Sequence, residues 1–277
     1  MIRTALVLLF LGPYAILGSA FGYPVARLVG SPTLLYALGR FGVRTALLLA
    51  GVRVAFEGVE RLVGNPNLII MPNHTSNLDA AILFGLIGLQ PKAVVKKELY
   101  SFPLLHYCLR FAGFIEIDRK DPIQSRQAIA RAVAALKTGS TFIIFPEGTR
   151  SRTGDLGAFK KGAFVVAIEA GSKIAPLAVS GARELLPPGR FVIRPGTIRV
   201  RVLDAVDASK YSYNDRAPSR RGAGPNRRGA GCARRGLRSR SICPWPQRKN
   251  ERLRASNPIS SPAFSSTRAG IAGWTAT

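Results

Sequence analysis

Hydrophobic residues follow two rhythms along this chain. The first 55 residues are almost continuously apolar. Between Arg3 and Arg27 lie 23 uncharged positions, Thr4 to Ala26, and a second apolar stretch runs from Pro32 to Ala55, broken by Arg40, Arg44 and Arg53. About 20 apolar residues suffice for a helix to cross a bilayer. The pattern therefore predicts a membrane-embedded helical hairpin over residues 1–56. Gly12, Pro13, Gly18 and Gly22 interrupt the first run, which leaves open a kinked helix that enters only one leaflet. The arginines of the second stretch are placed to snorkel to headgroups or to share one helix face. A signal peptide and a buried core helix are the alternatives. The second apolar block follows directly, with no small-x-small cleavage site before a polar start, and that weakens the signal-peptide reading. Arg3 and the later arginines favour cytoplasmic termini by the positive-inside tendency.

From about Gly58 the rhythm changes to short apolar runs alternating with helical stretches. Asn67–Met71, Lys92–Val95, Phe114–Ile117, Thr141–Phe145, Ile174–Val179 and Thr197–Leu203 read as strands. Leu78–Leu89, residues 122–137 and Phe159–Glu169 read as helices, the second opened by Asp121-Pro122 and closed by Thr138-Gly139. This alternation predicts an α/β fold, a mostly parallel sheet flanked by helices, over residues 57–215. Loops beyond the carboxyl ends of such strands carry function.

Composition adds three constraints. A 47% apolar content allows a sizeable core, and a mean hydropathy of +0.14 points to membrane contact. The net charge of +25 suits an anionic partner: nucleic acid, lipid headgroups or a phosphorylated substrate. Cys108, Cys232 and Cys243 form neither a metal-ligand spacing nor a disulfide framework, which fits a reducing compartment. About half the charge sits in residues 216–277, with 14 Lys+Arg against one acid and no helical or strand period. That composition predicts a disordered basic tail. Its origin is either a reading frame shifted near residues 214–217 or a genuine polybasic segment for anionic lipid or nucleic acid. Few aromatic rings interleave the arginines, which argues against a stacking nucleic-acid module.

The chemistry-bearing segments all fall at strand ends. After the first strand comes Asn73-His74-Thr75-Ser76-Asn77-Leu78-Asp79. An acid five residues beyond a histidine can turn back to fix the imidazole tautomer and stabilise the imidazolium. No serine nucleophile is needed if the substrate brings its own hydroxyl. The plainer alternative is a helix start capped by Asn77 or Asp79. After the Thr141–Phe145 strand comes Phe145-Pro146-Glu147-Gly148-Thr149-Arg150-Ser151-Arg152. Its glycine admits close backbone approach and its arginines offer forks for a phosphate. Glu147 is placed to orient Arg150 or to meet a substrate hydroxyl; a polar turn with a local ion pair is the alternative. Arg119 ends Gly113-Phe114-Ile115-Glu116-Ile117-Asp118-Arg119, Lys96 and Lys97 follow another strand, and Lys160 follows the glutamate loop. Singly these are solvated charges; together they gather cations at one sheet edge. His106, among apolar neighbours, reads as a packing residue.

The ordered set NHTSNLD, GFIEIDR, FPEGTRSR and IAPLAVSG resembles the four blocks of the glycerolipid acyltransferase family, over roughly Val52–Asp207. Within that family the set is similar to the bacterial 1-acylglycerol-3-phosphate acyltransferases. The resemblance implies His74 as catalytic base with Asp79 as its partner. It implies Arg119, Glu147, Gly148, Thr149 and Arg150 as glycerol-phosphate binders, and Pro176 as a shaper of the acyl or acceptor pocket. The implied reaction moves an acyl group from acyl-CoA or acyl carrier protein to the sn-2 hydroxyl of lysophosphatidic acid, with no metal and no cofactor. The implied partners are a lysophospholipid acceptor, the acyl donor and membrane lipids at the bacterial cytoplasmic membrane, with no nucleic acid. A different lysolipid acceptor, such as a lyso-ornithine lipid, and a non-catalytic basic membrane-surface or nucleic-acid-binding protein are the rival readings.

Overall fold

The computed structural model describes residues 1–102, 104–118 and 120–212. The expectations for the basic tail and the shifted frame lie outside the described residues. At the N-terminus the apolar run forms α1 (Ile2–Val29) and α2 (Thr33–Ala50), each closed by a left-handed glycine, Gly30 and Gly51. Both helices are long and apolar enough to cross a membrane, yet only 11% and 28% of their most apolar windows are buried. That exposure is not that of a mostly buried core helix. Neither helix stands free of the body. The Thr4 hydroxyl accepts the Ile193 N–H at 3.0 Å, and Val7 and Leu11 reach the core. The second apolar stretch, read over residues 32–55, in fact divides. It leaves the helix at Ala50, and β1 (Val52–Glu57) begins two residues later.

The remaining elements alternate largely as predicted: β2 (Leu68–Pro72), α3 (Asn77–Leu86), β3 (Lys92–Lys96), α4 (Leu105–Phe111), β4 (Ile115–Ile117), α5 (Pro122–Lys137), β5 (Phe142–Ile143), α6 (Lys161–Ala170), β6 (Lys173–Ser180), α7 (Ala182–Leu185), β7 (Gly196–Val202) and β8 (Val206–Asp207). The α5 start was legible because Asp121 accepts the N–H groups of Ile123 and Gln124 while Pro122 needs no donor there. The strand order is β1-β7-β6-β2-β5-β3-β4, with β8 also beside β6. Pairing is parallel throughout except β6–β7 and β6–β8.

Each face of the sheet carries its own core, and β2 serves both. Leu68 and Ile70 pack with α2, α3 and α7, whereas Ile69 and Met71 pack with α5 and α6. Five fully buried positions in a row are what a central parallel strand requires. The helix leaving β2 therefore covers one face and the helix leaving β5 covers the other. Adjacent parallel strands whose chains depart to opposite faces open a crevice beyond their carboxyl ends. That crevice lies between β2 and β5, where the two sharpest motifs begin.

Candidate active site

His74 is held on four sides. Its Nδ1 lies 3.1 Å from Asp79 Oδ2. The imidazole stacks on Phe145, with ring centroids 4.0 Å apart. Its backbone N–H donates to Glu147 Oε1 at 2.8 Å, and its carbonyl accepts the Ser151 N–H at 2.7 Å. A ring packed and bonded this way has one geometry available to it.

Asp79 is fully buried, and Oδ2 also accepts the Thr75 and Ser76 N–H groups at 2.6 and 2.7 Å. An oxygen facing two backbone donors is an acceptor, so the tautomer of the neutral ring that fits this pair has its proton on Nδ1 and its lone pair on Nε2. The helix cap is Ser76, not Asn77 or Asp79: its hydroxyl oxygen accepts the Leu78 N–H, while Asp79 returns a bond to the Ser76 backbone. The capped-helix alternative and the acid–histidine pair are thus the same carboxylate. The Ser76 hydroxyl donates to the Leu186 carbonyl, pinning α3 to the loop after α7.

Glu147 holds a post that neither sequence expectation named. It is buried, and its two oxygens accept backbone donors, His74 N–H on Oε1 and Gly157 N–H on Oε2, both at 2.8 Å. It thus ties the β2 loop to the far end of its own loop, with no bond to Arg150. A Cβ at Gly157 would stand 2.7 Å from Oε2, so only glycine gives that carboxylate its place. Gly148 turns the chain at φ 69°, and a Cβ there would meet the Lys160 stem at 2.8 Å. That contact carries Lys160 to the motif turn. Thr149 is exposed beside it.

Arg150 is exposed and donates to Asn77 Oδ1 at 2.8 Å. Asn77 is the first residue of α3, so the β5 loop's cation is fixed from the β2 side. A second arginine supports the same loop from α7: Arg183 donates to the Arg152 carbonyl. Asn73 binds the β6 backbone like a strand extension, donating to Val179 O and accepting from Val179 N–H. Sequence reasoning gave Asn73, Ser76, Asn77, Gly157 and Arg183 no such roles. Their partners are backbone groups or residues far away in sequence, and no spacing marks them.

The other cations stand farther off. Lys96 ends β3 and Lys97 follows it, and that strand is separated from β2 by β5, roughly 10 Å at two strand spacings. Lys97 is paired with Asp118 at 2.5 Å, bridging the ends of β3 and β4. The shared hydrogen bond and the opposite charge raise the Lys97 ammonium above its ordinary value and hold the Asp118 carboxyl below its own. Arg119 lies outside the described residues. Pro176 sits mid-strand in β6 opposite Met71, and its carbonyl accepts the Leu203 N–H. His106 is half-buried rather than packed in a core, and with Lys97, Tyr100 and Arg110 it lines a cavity of about 510 Å³. Among the described residues, no three His, Cys, Asp or Glu side chains cluster as a metal site would need.

This geometry meets an independent finding: residues 53–180 match the family model described as Acyltransferase. Residues 53–180 resemble an acyltransferase-family domain. The site above lies within that domain, apart from the supports that Arg183 and Leu186 lend it from α7 and the loop beyond. Among named relatives, the 1-acyl-sn-glycerol-3-phosphate acyltransferase of Pseudomonas aeruginosa is 32% identical over 171 residues, 61% of this chain and 65% of that one. The chloroplastic 1-acyl-sn-glycerol-3-phosphate acyltransferase LPAT1 of Arabidopsis thaliana is 32% identical over 160 residues, 57% of this chain and 45% of that one. The chain spans about half the length of the curated relatives it matches. The crystal structure of the 1-acyl-sn-glycerophosphate (LPA) acyltransferase PlsC from Thermotoga maritima has the same fold. It superposes with a TM-score of 0.64 at 24% identity, over 77% of this chain and 90% of that one.

Proposed function

We propose that this chain is an acyltransferase that moves a fatty acyl group from acyl-CoA or acyl carrier protein to the sn-2 hydroxyl of 1-acylglycerol-3-phosphate, making phosphatidic acid. The observation that carries the reading is the 3.1 Å His74–Asp79 pair in the β2–β5 crevice, with Arg150 fixed beside it through Asn77. Nε2 of neutral His74 takes the proton of the acceptor hydroxyl as that oxygen attacks the thioester carbonyl. The imidazolium keeps its Nδ1–H bond to Asp79, whose negative charge stabilises it. The tetrahedral intermediate then expels the thiolate, which takes the proton back from Nε2. The ester forms, the thioester breaks, and the histidine returns to its starting state. Arg150, Lys160 and the farther Lys96 and Lys97 supply the positive field for the acceptor's phosphate.

The same reading places the chain at the bacterial cytoplasmic membrane, with the site on the cytoplasmic side. At a rise of 1.5 Å per residue, α1 is about 42 Å long, more than the roughly 30 Å hydrocarbon core. It touches the body near both ends, at Ile193 and at Phe111. A helix contacted along its length lies with the body rather than crossing the bilayer away from it. We infer an arrangement in which α1 and α2 rest in one leaflet.

An acceptor panel with the protein in vesicles tests the function. Labelled acyl-CoA and acyl-acyl-carrier-protein are offered with lysophosphatidic acid, lysophosphatidylcholine or a lyso-ornithine lipid. The reading predicts turnover with lysophosphatidic acid at least tenfold above the others. Equal or higher turnover with a lyso-ornithine lipid would transfer the assignment to that acceptor.

A further inference from the structure

The segment joining the end of β3 to α4 exposes apolar side chains that no water-facing loop needs. Phe102 is 58% exposed, Tyr107 48% and Leu104 37%. Leu104 sits at φ 64°, a backbone conformation that non-glycine residues rarely adopt. Three backbone bonds hold the turn in place: His106 N–H to Phe102 O, and Tyr107 and Cys108 N–H to Leu104 O. Strain sustained to keep leucine and phenylalanine outward calls for something that receives them.

The position of the turn says what that is. Tyr107 lies 5.5 Å from Tyr23 of α1, ring to ring, and Phe111 lies 6.2 Å from the same tyrosine. The Arg27 guanidinium stands 5.7 Å from the Phe111 ring. Around those contacts α1 exposes Phe21, Val25 and Leu28. The apolar turn is therefore continuous with the largely unburied apolar face of α1. Tyrosine and arginine at such a seam are the residues that settle at the headgroup level.

We propose that Phe102, Leu104 and Tyr107 make a third membrane contact, which dips Phe102 and Leu104 into the acyl-chain region of the leaflet that carries α1 and α2. This rests on the reading that the two N-terminal helices hold the chain to a bilayer. The insertion sets Lys97 and Arg110, which line the neighbouring cavity, at headgroup depth. It also brings the carboxyl edge of β3 down to the lipid surface. A lysolipid can then pass from the bilayer toward the crevice without its acyl chain entering water.

Tryptophan quenching tests this directly. The chain's own Trp245 and Trp274 are changed to phenylalanine, and Phe102→Trp and Ile16→Trp are made separately in that background. Vesicles contain phosphatidylglycerol and a phosphatidylcholine brominated on its acyl chains. Ile16, exposed on α1, reports on the helices. The proposal predicts blue-shifted emission and quenching in both variants, with Phe102→Trp quenched at least half as strongly as Ile16→Trp. Quenching in Ile16→Trp alone would overturn the third contact while leaving the helices on the membrane, and would mark the turn as a site for a protein partner. Quenching in neither variant would overturn both readings.

Discussion

Oδ2 of Asp79 accepts three donors at once: the imidazole Nδ1–H and the N–H groups of Thr75 and Ser76. The carboxylate that orients the base also completes the cap of α3. Asp79→Asn either turns its amide NH2 against those donors or, with its carbonyl facing them, buries that NH2 where Oδ1 has no partner, at a cost of about 1–3 kcal/mol. We expect turnover to fall about 10²–10⁴-fold and Tm to fall by several degrees, measured by acyl transfer and thermal unfolding together. Glu147 makes a different prediction from the substrate-binding role that the family resemblance implies. Its oxygens hold the His74 and Gly157 backbone, so Glu147→Gln should misplace the base. The expected result is kcat down about 10–100-fold with the acceptor KM little changed. A raised KM at unchanged kcat would return Glu147 to the substrate. Of these roles the His74–Asp79 pairing was legible, because the five-residue spacing closes on itself. Glu147's was not, because its partner is a peptide group 73 residues away whose side chain leaves no mark on the bond.

At the scale of elements, the buried parallel strands and α5 were readable from apolar runs and an Asp-Pro start. The strand β1 was hidden because Val52–Glu57 follows α2 with one intervening residue, and its Arg53 looked like another snorkelling arginine. Its alternating burial shows instead a strand with one covered face. The helix α4 was missed because seven residues hold too few turns for a period. Two cross-element bonds make further predictions. Asn77 on α3 holds Arg150 from the β5 loop; Asn77→Ala should raise the acceptor KM about threefold to tenfold with kcat nearly constant, in steady-state assays varying the acceptor. The Lys97–Asp118 pair joins the ends of β3 and β4. Since Asp118's carboxyl lies below its ordinary value through its hydrogen bond to Lys97, the pair's contribution is present above the ordinary carboxylate range. It is lost as pH falls through the lowered value. A carboxyl titration followed by NMR should show that midpoint rise toward normal in Lys97→Gln; an unmoved midpoint would give the shift another cause.

For the whole molecule, the candidate site and the two apolar helices sit on adjoining parts of one body. The crevice opens where β2 and β5 send their chains to opposite faces, and the long helix α1 runs beside that body from Ile193 to Phe111. The sequence showed two apolar helices but not how they lie, because a run of apolar residues has the same composition whether it crosses a bilayer or rests in it. Nor could it show that the apolar turn before α4 joins their face. The central proposal is that His74 removes the acceptor's proton. The direct measurement is single-turnover acyl transfer to lysophosphatidic acid by His74→Ala, with vesicle flotation in parallel. The account predicts a 10²–10⁴-fold loss of the chemical rate with flotation unchanged, since the imidazole is a general base and lies outside the apolar faces. A chemical rate within about threefold of the unsubstituted chain would contradict it.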